Sequence, residues 1–283
     1  MKIYKENAMK LIRRSVLICV GLFLLAAPVH AGETLLMATT TSTDNTGLLD
    51  YLSPQFTEDT GIELKWTATG TGKALKLGEN CDVDVLLVHA PGAEKKYVED
   101  GFGIHRREIM YNDFVIIGPS LDPAGIKGKG VLDALTLVRN SGSPFASRGD
   151  NSGTHKMELT LWNNTGKALP DKESWYVQTG QGMLPTITIA GERKAYTLTD
   201  RGTYIKYEAT QGGKPTLVIL VEGDGALKNQ YSVIEVNPIK CPKAKNNLAA
   251  VFSNWMASEK TQKRIGDFKL LGKQLFTPNA QTK

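Results

Sequence analysis

Leu35-Leu36-Met37-Ala38, then Thr39-Thr40-Thr41-Ser42-Thr43, then the apolar positions Leu48, Leu49, Leu52 and Phe56: this stretch decides how the rest of the chain is read. The first block has the length and content of a buried strand, and the last four positions recur at helical spacing. Between them, a run of hydroxyls falls where a strand gives way to a helix. The free amides of a helix start carry about half a unit of positive charge, and hydroxyls beside them add donors, so the turn suits an oxyanion. The plainer reading is N-capping by Ser42, Thr43 or Asp44, which accounts for one hydroxyl but not for the whole run.

Working outward, Ser147-Arg148-Gly149-Asp150-Asn151-Ser152-Gly153-Thr154 precedes the apolar positions Met157 and Leu161 and repeats the arrangement. Arg148 offers a planar fork to an oxyanion, and Asp150 can hold that fork in place. Ser152, Gly153 and Thr154 then supply donors at a helix start. A surface Arg–Asp pair beside an N-cap is the bland alternative, and such pairs are worth little. Gly70-Thr71-Gly72-Lys73 gives a third donor set centred on Thr71. It is not a nucleotide loop, because Ala74 stands where Ser or Thr must follow Gly-Lys. Gly180-Gln181-Gly182-Met183 reads as an ordinary glycine-rich turn with little weight.

Bond-breaking chemistry finds no support. His89, His105 and His155 lack metal-ligand spacing, and no Cys-x-x-Cys pair occurs. A Gly-x-Ser-x-Gly elbow is also missing, and the carboxylates are scattered without catalytic pairing. No cofactor is expected, and the chain is not expected to be an enzyme.

Lys2, Lys5, Lys10, Arg13 and Arg14 precede the apolar block Val16 to Ala27 and the small-x-small signal Val29-His30-Ala31. Residues 1–31 therefore read as a signal peptide cleaved near Ala31, and the remainder as a soluble, periplasmic chain. Leu17-Ile18 ahead of Cys19 makes a poor lipid-attachment site. Of 34 basic and 29 acidic residues, the leader holds five basic ones and Glu6, leaving 29 against 28. A near-neutral mature chain gives nucleic acid no footing as a partner. Cys81 and Cys241 remain in a compartment where thiols oxidise, as a bridge or as two separate buried thiols.

The apolar runs alternate between strand and helix patterns, an α/β construction without internal repeats. Strands are expected at 34–38, 62–68, 83–88, 114–118, 144–147, 175–178, 195–199, 217–221 and 231–236. Helices are expected near 48–56, 72–77, 94–100, 131–138, 154–162 and 246–258, the last with Leu248, Phe252, Trp255 and Met256 on one face. A two-lobed protein fits, with lobe I made of residues 32–118 and 231–283 and lobe II of 119–230. The glycine- and lysine-rich segment 125–130 is a loop lying where a crossover could fall.

Ala38 to Thr43, Asp84-Val85-Leu86-Leu87-Val88-His89-Ala90-Pro91, Ser147 to His155 and Tyr196 to Tyr204 together resemble the periplasmic tungstate-binding proteins of bacterial ABC importers, in order and over nearly the whole mature chain. The resemblance implies a type II periplasmic-binding-protein fold, each lobe a mixed sheet flanked by helices, closing over a bare tungstate or molybdate. It implies delivery of that small inorganic oxyanion to an ABC permease in the inner membrane, with the receptor working as a monomer. By the same resemblance Thr40, Thr41, Ser42, Thr71, Arg148, Ser152, Gly153 and Thr154 bind the oxyanion, and Asp150 orients Arg148. Leu184 departs from the small residue the family would place after Met183.

Two alternatives stand beside this reading. The Arg148 loop is also similar to that of periplasmic phosphate-binding proteins, but those carry Asp before Ala-Pro where this chain has His89. Phosphate keeps a proton near neutral pH and rewards a carboxylate acceptor, a place that Asp44 could take. A secreted phosphate-ester hydrolase would need a nucleophile paired with a base, and the sequence offers none.

Overall fold

The computed structural model describes residues 32–281, so the expected leader, residues 1–31, lies outside the described residues. The opening stretch forms strand β1 (Thr34–Thr40), a one-turn helix α1 (Thr41–Asp44) and helix α2 (Leu48–Thr60). Leu35 and Met37 are buried on β1, and Leu48, Leu49, Leu52 and Phe56 turn the apolar face of α2 onto them. Next come β2 (Glu63–Thr69), α3 (Thr71–Glu79), β3 (Val85–Val88), α4 (Pro91–Glu99) and the long strand β4 (Gly103–Pro119). β1 lies between β2 and β3, parallel to both, so the carboxyl ends of all three open on the same edge.

The chain continues through α5 (Val131–Ser141), β5 (Phe145–Ser147), α6 (Gly153–Asn164), β6 (Tyr176–Gln178), α7 (Met183–Glu192), β7 (Thr197–Asp200), α8 (Arg201–Thr210) and β8 (Leu217–Val221). It returns along β9 (Lys228–Val236) and ends in α9 (Asn246–Ala257), α10 (Glu259–Asp267), the hairpin β10 (Lys269–Leu270) and β11 (Lys273–Gln274), and β12 (Thr277–Pro278).

Two strands tie the halves together. β4 pairs antiparallel with β9 over Gly103 to Asp113, then with β7 and β8 from Phe114 onward. One set of apolar cores joins Leu35, Phe56, Val233 and Phe252; the other joins Phe114, Trp162, Tyr196 and Leu220. The passage between lobes thus runs through β4 and β9, and segment 125–130 lies inside the second lobe with Ile126 buried. Ile205 of α8 packs into the first lobe's core, so α8 bridges the lobes.

Leu248, Phe252 and Met256 of α9 join the core of β1 and α2, returning the carboxyl-terminal part of the chain to the first lobe. Cys81 and Cys241 are joined as a disulfide, their Cα atoms 5.3 Å apart.

Candidate functional site

At the end of β1, Thr40 caps α1, its Oγ1 accepting from the Thr43 amide at 3.2 Å. The same oxygen lies 3.0 Å from Ser42 Oγ and 2.6 Å from Thr43 Oγ1. Capping is therefore part of what the hydroxyl run does, and the rest is a network. That network extends to His89, just past β3, whose Nε2 stands 2.9 Å from Ser42 Oγ and 3.0 Å from Thr40 Oγ1.

On the other side of the ring, His89 Nδ1 is 2.9 Å from Asn229 Oδ1, while Asn229 Nδ2 donates to Asn112 Oδ1 at 2.7 Å. The amide group of Asn229 thereby presents its oxygen to the ring, which places the proton on Nδ1 and leaves Nε2 to accept. The ring stacks on Tyr231 at 4.7 Å. Burial pushes His89 below the ordinary imidazole value, against upward pulls from the Asn229 bond and the Asp200 charge.

The second half of the site is the β5–α6 loop. Arg148 donates from Nη2 to Asp150 Oδ2 at 2.5 Å, and the other oxygen of Asp150 accepts the Ser152 amide at 3.1 Å. Burial raises the Asp150 carboxyl, but bonds from Ser152 and the Arg148 charge outweigh it and hold the group below the ordinary carboxylate range. Ser152 caps α6, accepting the His155 amide at 3.3 Å. Gly149 has φ +60°, and a Cβ there would sit 2.8 Å from Gln178 Cβ, so glycine lets the loop lie against β6. Beneath the loop lies Glu158, buried, accepting from the Tyr176 hydroxyl at 2.5 Å and from Trp162 Nε1 at 3.3 Å. Burial pushes its carboxyl up to about 7 despite these donors.

These halves face one another. Thr40, Thr41, Ser42, Thr71, Arg148, Asp150, Ser152, Gly153 and Thr154 all line one cleft of about 500 Å³, together with His89, Lys73 and Lys156. A Cβ on Gly153, at the start of α6, would lie 3.6 Å from His89 Cε1 and 3.7 Å from Thr71 Oγ1, so the two lobes stand in close approach. Two donors of this cleft, Thr71 Oγ1 and Arg148 Nε, are buried without a hydrogen-bond partner. Such groups cost free energy unless an acceptor meets them, which makes the pair a mark of a ligand.

By sequence the turn at 180–183 is an ordinary glycine-rich one. Gly182, Met183 and Leu184 nevertheless line a smaller cavity of about 290 Å³ that shares Thr41, Ser42 and Arg148 with the main cleft. Asp200 and Thr203 line it too, and Asp200 caps α8 by accepting the Thr203 amide at 2.9 Å. The Asp44 carboxylate is not in the cleft; its Oδ1 accepts Trp66 Nε1 at 2.7 Å.

The sequence matches the family described as a PBP superfamily domain over residues 27–260. A protein of Campylobacter jejuni described as tungstate-binding protein TupA is 53% identical over 242 residues, covering 86% of this chain and 90% of the relative. The solved tungstate-binding protein TupA of Desulfovibrio alaskensis G20 is 67% identical with a TM-score of 0.85, covering 88% of this chain and 100% of that one. The structure described as the tungstate ABC transporter from Geobacter sulfurreducens is 50% identical with a TM-score of 0.73, over 83% of this chain and 99% of that one.

Proposed function

Because this chain belongs to the PBP superfamily and, within it, to the tungstate-binding proteins, we propose that it is a periplasmic receptor that binds tungstate and hands it to the permease of an ABC importer. It is a solute-binding protein, and tungstate is its cargo, not a cofactor. The observation that carries the site is the pair of buried donors without partners, Thr71 Oγ1 and Arg148 Nε, on opposite walls of one cleft.

Thr40, Thr41, Ser42 and Thr71 supply hydroxyls and amides from the first lobe. Arg148 supplies the charge from the second, with Ser152, Gly153 and Thr154 offering the start of α6. Asp150 keeps the guanidinium in place. A buried dianion must recover its lost hydration from the protein, and each charge-assisted bond returns about 1.5–3 kcal/mol. A shell of this size therefore holds an oxyanion tightly once the lobes exclude water. Tungstate has long metal–oxygen bonds, and a shell spaced for them leaves smaller sulfate with unmade bonds. Phosphate finds no carboxylate acceptor at Asp44, which is engaged by Trp66.

The receptor works as a monomer, its leader is removed near Ala31, and residues 119–230 form the lobe that closes. Calorimetric titration with tungstate, followed by competition with molybdate, sulfate and phosphate, tests the reading. One-to-one binding that excess phosphate and sulfate fail to displace is the expected result. Silence with tungstate and a response to phosphate would overturn it.

A further inference from the structure

His89 is absent from the donor shell proposed above, yet its Nε2 stands within hydrogen-bond distance of two of that shell's hydroxyls. With the Nδ1 proton held on Asn229 Oδ1, Nε2 of the neutral ring only accepts. It therefore draws the proton of Ser42 or Thr40 away from the cleft. A second proton on the ring reverses the arrangement. Nε2–H then donates to one of those oxygens, the hydroxyl proton it had held is freed for the cleft, and a positive charge stands behind the pair. No side chain has to move.

The charged groups around the ring divide. Asp200, at the junction of β7 and α8, favours the added proton. Arg148 on the β5–α6 loop, Lys73 on α3 and Lys156 on α6 share the cleft and oppose it, while Asp150 is turned onto Arg148. Tyr231 on β9 and Asn112 on β4 are neutral. His155 on α6 accepts the Asn151 amide at Nδ1 and is separately titratable. Burial keeps the empty site neutral at His89; a dianion placed against the Thr40 and Ser42 hydroxyls reverses that balance.

We propose that His89 is a proton-linked specificity residue: an entering dianion draws one proton from solvent onto Nε2, which frees a hydroxyl proton of the Thr40–Ser42 pair for the ligand and favours doubly charged over singly charged oxyanions. The proposal rests on the oxyanion site described above. Tungstate is titrated calorimetrically into the wild-type protein in buffers of different ionisation enthalpy, between about pH 6.5 and 8.5, where a histidine can exchange its proton. The expected result is an uptake of about half to one proton per tungstate, with Kd rising by up to about tenfold per pH unit. His89→Gln should abolish the uptake and weaken binding most at the acidic end. Imidazole nitrogen NMR shifts of wild-type His89, with and without tungstate, assign the proton without a substitution.

Binding without proton uptake, or equal uptake in wild type and His89→Gln, overturns the proposal and leaves the receptor reading intact. Absence of tungstate binding overturns both.

Discussion

The two walls of the cleft are built on opposite plans. On the β1–α1 wall, Thr40, Ser42, Thr43 and His89 already hydrogen-bond one another, and no formal charge is present among them. The β5–α6 wall carries Arg148, whose Nε has no partner, and it faces Thr71, whose hydroxyl also has none. Each half of the site includes a titratable group that burial drives toward its neutral form, His89 within the first wall and Glu158 beneath the second. The difference teaches a division of labour. The Arg148 guanidinium and the unmet Thr71 hydroxyl leave donors open, while the Thr40–Ser42–Thr43–His89 network is already satisfied and holds its shape.

The largest test of that division is Arg148→Ala, which removes a cation of the cleft proposed to hold a dianion. Tungstate affinity should fall by about 2–5 kcal/mol, roughly thirtyfold or more by calorimetry. An unchanged Kd would break the comparison outright. Thr71→Val keeps the side chain's shape and deletes a hydroxyl that has no protein partner, so folding should be preserved. Its cost should be about 1.5–3 kcal/mol in binding, since the lost bond is to a charged acceptor. A Kd within about twofold of wild type, which is below any such bond's worth, would show that Thr71 does not meet the ligand.

Asp150→Ala sharpens the second wall from within. It leaves the guanidinium but frees its orientation and releases the Ser152 amide, so a loss of about 1–2 kcal/mol is expected, smaller than at Arg148. A larger loss than at Arg148 would reverse the two roles.

Smallest in binding, but visible in stability, is Glu158. Its carboxyl titrates near 4.5 when exposed and about 7 in the fold, so the folded chain holds a proton that the unfolded chain has lost between those values. Stability should therefore decline as pH rises through that window, by roughly 3 kcal/mol, and level off above it. Thermal melts of Glu158→Gln should lack this decline; an identical slope in wild type and variant would mean that the group is not neutral in the fold.

Both walls were legible in the chain because each joins a short apolar strand to a donor-rich helix start, a pattern that local sequence carries. The apolar face of α9 was equally plain, with Leu248, Phe252 and Met256 in the first core. The first half of β4 was missed, and the reason is physical. Ile104 to Arg107 reads as a mixed polar segment, because bulges interrupt its pairing with β9 and break the alternation. Helices α7, α8 and α10 were also unexpected. Arg201-Gly202-Thr203 opens α8 without apolar spacing, and its burial comes from bridging two lobes, which no local period encodes. The part of His89 in the site was hidden for a similar reason. Its partners Asn229, Asn112 and Tyr231 come from strands far along the chain, and only the sheet brings them together. A polar residue directly after the four-residue apolar run of β3, where the neighbouring strands also open, is the signal that could have marked it.

The Cys81–Cys241 bridge spans 160 positions and so makes a covalent ring that contains every element from β3 to β9. As the chain is made from its amino terminus, the Cys81 thiol appears long before Cys241 and stays unpaired until almost the entire polypeptide exists. Oxidation of this pair is thus a completion mark: a molecule truncated before residue 241 keeps a reactive thiol, whereas a full-length one has none left to offer among its described residues.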